Sequence, residues 1–216
     1  MANQETAYGL RPIGLVGSAV NSTGLTQYEI ASNNTNAIFQ YSLVVPTSAG
    51  VIDQAGDTAG GTTAALGVFM GVEYVDSSSK KTVFRNFWAG SNNVSVDTNF
   101  PIKALVADNP MQQFQVASDA SLTDRATALT GVFANASLGT SARTGSTDTG
   151  RSNSALSVSS INTTATLPLK IIGIVDADEN SDFTAAGIGL VVRINAHYNS
   201  PNARFDSQTT ATTTGI

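Results

Sequence analysis

The hydrophobic pattern of this chain is short and interrupted. Its densest stretch, LGVFMGVEYVDSSSKKTVFRNFWAG from Leu66 to Gly90, places Val68, Phe69, Met70, Val72, Tyr74 and Val75 before a polar cluster, Asp76 to Lys81. Val83, Phe84, Phe87 and Trp88 follow it. β-Branched and aromatic residues on both sides of a turn cluster predict a β-hairpin. The only Trp of the chain lies here. Aromatic side chains bury the most apolar area per residue, so Phe84, Phe87 and Trp88 are expected in the core. Gly67, Gly71 and Gly90 mark expected bulges or close backbone approaches.

Strand patterns recur on either side. Tyr28-Glu29-Ile30, a polar turn from Ser32 to Asn36, and the run Ala37 to Val45 predict a second hairpin closed by Pro46, with Gly50 turning the chain toward Val51 and Ile52. Phe100 to Ala107, a turn at Asp108-Asn109-Pro110, and Met111 to Ala117 predict two more strands. In the latter, Phe114 and Val116 alternate with Gln, as on a half-buried strand. Leu167 to Val175 and Ile188 to Tyr198 supply the closing strands. One helix is expected, Asp124 to Phe133, with Thr123 as N-cap and Leu129, Val132 and Phe133 at helical spacing. Residues 135–166 are dominated by Ser, Thr, Asn, Gly and Ala, with Leu156, Val158 and Ile161 as one poor strand. They predict an exposed loop, or a strand pair held by other elements.

Residues 1–27 are punctuated by Gly9, Pro12, Gly14, Gly17 and Gly24, which blocks a helix, yet they carry Tyr8, Leu10, Ile13, Leu15, Val16 and Val20. Such a segment is either an extended arm laid over a neighbour or an ordinary first strand. The resulting plan is an N-terminal arm over 1–27, one β domain over 28–205 and a flexible tail over 206–216.

Composition sharpens this picture. Only 12% of the 216 residues are charged, about half the usual share, and the abundant small polar residues form turns and strand surfaces rather than helix exteriors. The expected class is all-β. A net charge of -5 repels a phosphate backbone, so nucleic acid is not an expected partner. The chain has no Cys and one His, which excludes thiolate and multi-histidine metal sites. No basic-plus-apolar leader is present and no apolar run approaches the ~18 residues of a membrane span, so a soluble protein made in a cytoplasm is expected.

Candidate chemistry is sparse. The alternating oxygens of Asp176, Asp178, Asn180 and Asp182 resemble the start of a calcium loop, but Ser181 and Gly187 stand where that loop wants Gly and Glu, and strands flank it. An acidic turn is the competing reading. His197 lacks a Gly-x-Ser-x-Gly elbow and lies at a strand end, so no catalytic residue is expected. Arg85 beside Phe84, Phe87 and Trp88 suits stacking on a ligand or, more simply, lying over the hairpin's aromatic face. The segment 53–65 is Gly-rich without Gly-Lys-Ser/Thr and predicts a surface loop, with no cofactor. The glycosylation-type triplets at Asn21, Asn33, Asn93, Asn135 and Asn162 follow from composition.

Taken in order, MANQETAYGLRPIGLVGS, YEIAS, LGVFMGVEYVD with FRNFWAG, DNPMQQFQV and VVRINAHYN resemble the head cement, or decoration, proteins of tailed bacteriophages, particularly marine podovirus-like phages. The resemblance implies an antiparallel β-barrel or jelly-roll-like protein on the outside of an expanded capsid. It further implies self-association as a dimer or trimer, and the major capsid protein as partner. Under it, Tyr8, Leu10, Arg11, Pro12, Ile13 and Leu15 are the expected lattice or intersubunit contacts. A tail or fibre module that binds a host glycan, and a β-sandwich hydrolase, are the alternatives.

Overall fold

The computed structural model describes residues 3, 7–16, 24–55, 64–139, 144–164 and 166–200. In chain order its elements are β1 Arg11–Leu15, β2 Thr26–Ile30, β3 Leu43–Pro46, β4 Ile52–Gln54, β5 Gly67–Val75, β6 Thr82–Arg85, β7 Ile102–Ala107 and β8 Gln112–Ala117. Helix α1 Arg125–Thr130, β9 Asn135–Ala136, a 3-10 turn Val158–Ser160, β10 Leu169–Ile174 and β11 Gly189–Ile194 complete them. The protein is all-β, as its pattern predicts.

Two sheets divide the strands. The first runs β3-β4-β2-β7-β5, and β3 also pairs with β5 through Leu43↔Val68, so this ladder closes on itself. β6 extends it beyond β5. The second sheet is the antiparallel series β1-β8-β11-β10-β9. The chain therefore opens in the second sheet, builds the closed one, and returns through the turn before β8.

β5 belongs to both interiors. Phe69, Val72 and Tyr74 point into the closed sheet with Ile102, Ala104, Val106 and Trp88. Val68 faces the other way, packing with Leu10, Phe114, Val116, Leu169, Ile171, Leu190 and Val192 beneath the second sheet. Strict alternation from Phe69 would bury residues 71 and 73. A bulge between Phe69 and Gly71 shifts the register instead, so that Val72 and Tyr74 stay inside. Trp88 is fully buried, donates its Nε1–H to the Asn34 carbonyl at 3.2 Å and meets the Tyr74 ring edge-on at 5.9 Å. At Gly90, φ is +88° and a Cβ would lie 2.3 Å from the Thr35 carbonyl oxygen, the close approach expected there.

Several expectations need correction. Phe84 is 69% exposed, not in the core. The β5–β6 register sets Val83 opposite the inward Tyr74 and Phe84 opposite the outward Glu73. Phe87 is half-buried, stacked on Phe39 at 5.7 Å. The hairpin expected over 28–45 does not form: β2 pairs along its length with β7, and β3 pairs with β4 and β5. Residues 37–42 make only isolated bridges, and Tyr41, at φ 70°, turns the chain before β3.

Helix α1 spans six residues and is capped by Asp124, whose Oδ1 accepts the Thr127 N–H at 2.7 Å, rather than by Thr123. So short a helix buries only Ala128, leaving Leu129 and Phe133 exposed at 52% and 71%. The described part of 135–166 is built inward, not as a free loop. Leu156 is fully buried and bridges Ser118 and Leu138, while Ser152 and Ser154 are buried with their hydroxyls 2.7 Å apart. Small side chains lie close under apolar area supplied by other elements. The tail over 206–216 lies outside the described residues.

Candidate interaction surface

The N-terminal segment is woven into the second sheet. β1 pairs antiparallel with β8, Arg11 opposite Gln115 and Pro12 opposite Phe114, which makes 11–15 an edge strand of the domain rather than a free arm. Leu10 is fully buried in the main core, so its place among the expected contacts is corrected: its partners are within the chain. Gly9 precedes it at φ +79°, where a Cβ would stand 2.5 Å from the Tyr41 carbonyl oxygen. Only glycine lets the chain enter there. Arg11 is exposed, Ile13 is 45% exposed at a bulge in β1, and Pro12 and Leu15 are half-buried. Tyr8 is half-buried; burial pushes its phenol up to about 12, while Arg11 and a hydrogen bond with Gln115 pull the other way. Further upstream, Asn3 is buried, donating Nδ2–H to the carbonyl of Ala186 at 3.2 Å and accepting the Asp182 N–H at 3.1 Å.

Strands β1, β8 and β11 are neighbours in one sheet. They carry RPIGL, QQFQVA and GLVVRI, so segments far apart in sequence that share the resemblance meet on one surface. The YEIAS, LGVFMGVEYVD and FRNFWAG segments contribute β2, β5 and β6 to the closed ladder.

His197 is 2% exposed. Its Nδ1 accepts the Asn199 N–H at 3.1 Å and its Nε2 is buried without a partner, so neither ring nitrogen touches a serine hydroxyl among the described residues. Burial holds the imidazole down at about 4, against the weaker upward pull of Asp108. Asp108 is a structural hub that sequence reading missed. It accepts from Thr26 Oγ1 at 2.8 Å, Tyr28 OH at 2.7 Å and Asn199 Nδ2 at 3.1 Å, fastening β2 to the chain after β11. Only its place in an Asp-Asn-Pro turn hinted at it.

The calcium-like loop is committed to internal bonds. Asn180 donates to the carbonyls of Val175 at 2.7 Å and Gly189 at 3.0 Å and accepts the Gly189 N–H at 2.7 Å. Asp182 accepts from the Thr184 hydroxyl and N–H at 2.6 and 3.1 Å, contacts that hold its carboxyl below the ordinary range. Asp176 and Asp178 line an open cleft of about 560 Å³ together with Arg125. Among the described residues, no three His, Asp or Glu side chains are grouped to hold a metal. Arg85 is exposed.

These features define a β-protein in which a small closed ladder packs with a five-stranded sheet whose outward row, Gln113, Arg193 and Lys170, is half-buried. No protein-family model, curated protein or solved structure matches the chain. No helix among the described residues is long and apolar enough to cross a membrane.

Proposed function

We propose that this chain is a structural, non-catalytic virion protein that binds the outer surface of a tailed phage's mature icosahedral capsid and stabilises it by bridging major capsid subunits. In this reading it works as a dimer or trimer on the shell, without cofactor, nucleic acid or membrane. The observation that carries the reading is the convergence of three resemblance segments as adjacent strands β1, β8 and β11. A protein that binds only the expanded shell stabilises it by mass action, and many copies multiply a modest energy per contact. Co-sedimentation with expanded and unexpanded heads tests this. Saturable binding to expanded heads alone, at a stoichiometry that fits symmetry axes, is expected; binding to neither form overturns it.

A second reading, a tail or fibre module for a host glycan, draws support from Phe84 and Phe100, exposed at 69% and 53% on either side of Glu73. Exposed aromatic faces suit stacking on a sugar. Trp88 is fully buried and plays no part in it. Glycan-array binding abolished in Phe84→Ser would favour this reading.

A further inference from the structure

We propose that the outward face of the sheet β1-β8-β11-β10-β9 docks a carboxylate-rich protein surface, with the half-buried Lys170 and Arg193 at its centre. The identity of that partner as a capsid rests on the reading above; the chemistry of the face does not. Lys170 and Arg193 are direct partners across the β10–β11 ladder, which sets their Cβ atoms on one face about 5 Å apart. On the closed ladder the comparable charged partners, Glu73 and Lys103, are opposite in sign and meet at 3.4 Å. Like charges placed opposite each other destabilise a sheet, so this pair needs another reason to stand there.

The neighbours add no compensating acid. Gln113 lies opposite Arg193 and Asn135 opposite Lys170, while Arg11 lies opposite Gln115 in the adjoining row. Among the described residues, the ion pairs are Lys80–Asp97 and Lys103–Glu73, and neither involves Arg11, Lys170 or Arg193. Among the described residues the Arg193 Nε–H and the Asn135 Oδ1 are buried without a partner, so an incoming surface meets the half-buried side chains of Arg193 and Lys170 rather than these two atoms. A guanidinium fork is matched by a carboxylate, which can accept two parallel bonds. Because the chain has 16 acidic and 11 basic residues, three cations whose cross-strand partners include no acid among the described residues orient an approaching acidic surface. Neither the cleft at Arg125 nor that at Glu73 is lined by these residues. A sheet face outside these clefts suits a protein surface better than a small molecule. The net charge of -5 sets it against a nucleic acid.

The test compares wild type with Lys170→Glu, Arg193→Glu, Arg193→Gln and, on the far β5–β6 turn, Lys81→Glu. It reads binding to expanded heads across ionic strengths and retention on immobilised poly-L-glutamate, with thermal melts as the folding control. We expect Lys170→Glu and Arg193→Glu to weaken both by about tenfold or more and to flatten the salt dependence. Arg193→Gln covers the case in which reversal prevents folding and should show a smaller loss of the same kind; Lys81→Glu should bind as wild type. Heads binding wild type and the position-193 variants equally would overturn the docking face and leave the capsid reading standing. Retention on poly-L-glutamate through Arg193, with no binding to heads, would uphold the face and overturn the capsid reading. Binding to neither overturns both, and retention by duplex DNA instead of poly-L-glutamate overturns the assignment to a protein partner.

Discussion

Trp88 and Phe84 sit in the same aromatic run, and their different environments separate what each does for stability. Trp88 fills the closed ladder with its indole N–H satisfied. Its replacement by Ala should cost about 3–5 kcal/mol. Phe84→Ser should change stability by less than about 0.5 kcal/mol, since its ring already faces water. Urea denaturation of the two variants measures both. His197 makes a separate, pH-dependent contribution. Its folded-state pKa of about 4 lies below the 6.5 of an unconstrained histidine, so the unfolded chain binds a proton that the folded chain refuses. Stability from this group is complete above about pH 6.5, declines as pH falls toward 4 and is level below that. The full loss is about 3 kcal/mol. Unfolding free energies at pH 7.5 and 4.5 should differ by less in His197→Gln than in wild type. An equal difference in both would show that the imidazole is not held neutral.

At the scale of elements, β1 binds the N-terminal segment to the fold. Leu10→Ala should cost about 2–5 kcal/mol because it empties a fully buried site. Ile13→Ser, at a 45% exposed position, should cost little. Removing residues 1–16 should unfold or strongly destabilise the domain, which chemical denaturation of the truncated chain would reveal. β8 was legible in the sequence from Phe114 and Val116 between glutamines, and the β5–β6 hairpin from its polar turn. Partner choice was not legible, because β2 finds β7 and β3 finds β5 across long stretches of chain and no local signal specifies those meetings. The inward role of Ser152, Ser154 and Leu156 was hidden for a related reason: other elements supply the apolar cover that their own segment lacks. In the candidate surface, Arg11 and Ile13 stand exposed among the contacts that the resemblance implies, whereas Leu10 is buried. The Lys170–Arg193 pairing existed only once β10 and β11 were in register.

Across the whole molecule, β5 ties the two interiors together, one face in the closed ladder and the other beneath the five-stranded sheet. The opposite face of the second sheet carries the half-buried Gln113, Lys170 and Arg193 away from that core. In the proposed capsid role each copy would contribute little and the shell would sum many. The most direct test of the capsid-stabilising account is the temperature at which DNA-filled heads release their genome, measured by dye access with and without saturating protein. The account predicts a clear upward shift that grows with occupancy and levels off at saturation. Release at the same temperature with the protein bound to saturation would contradict it.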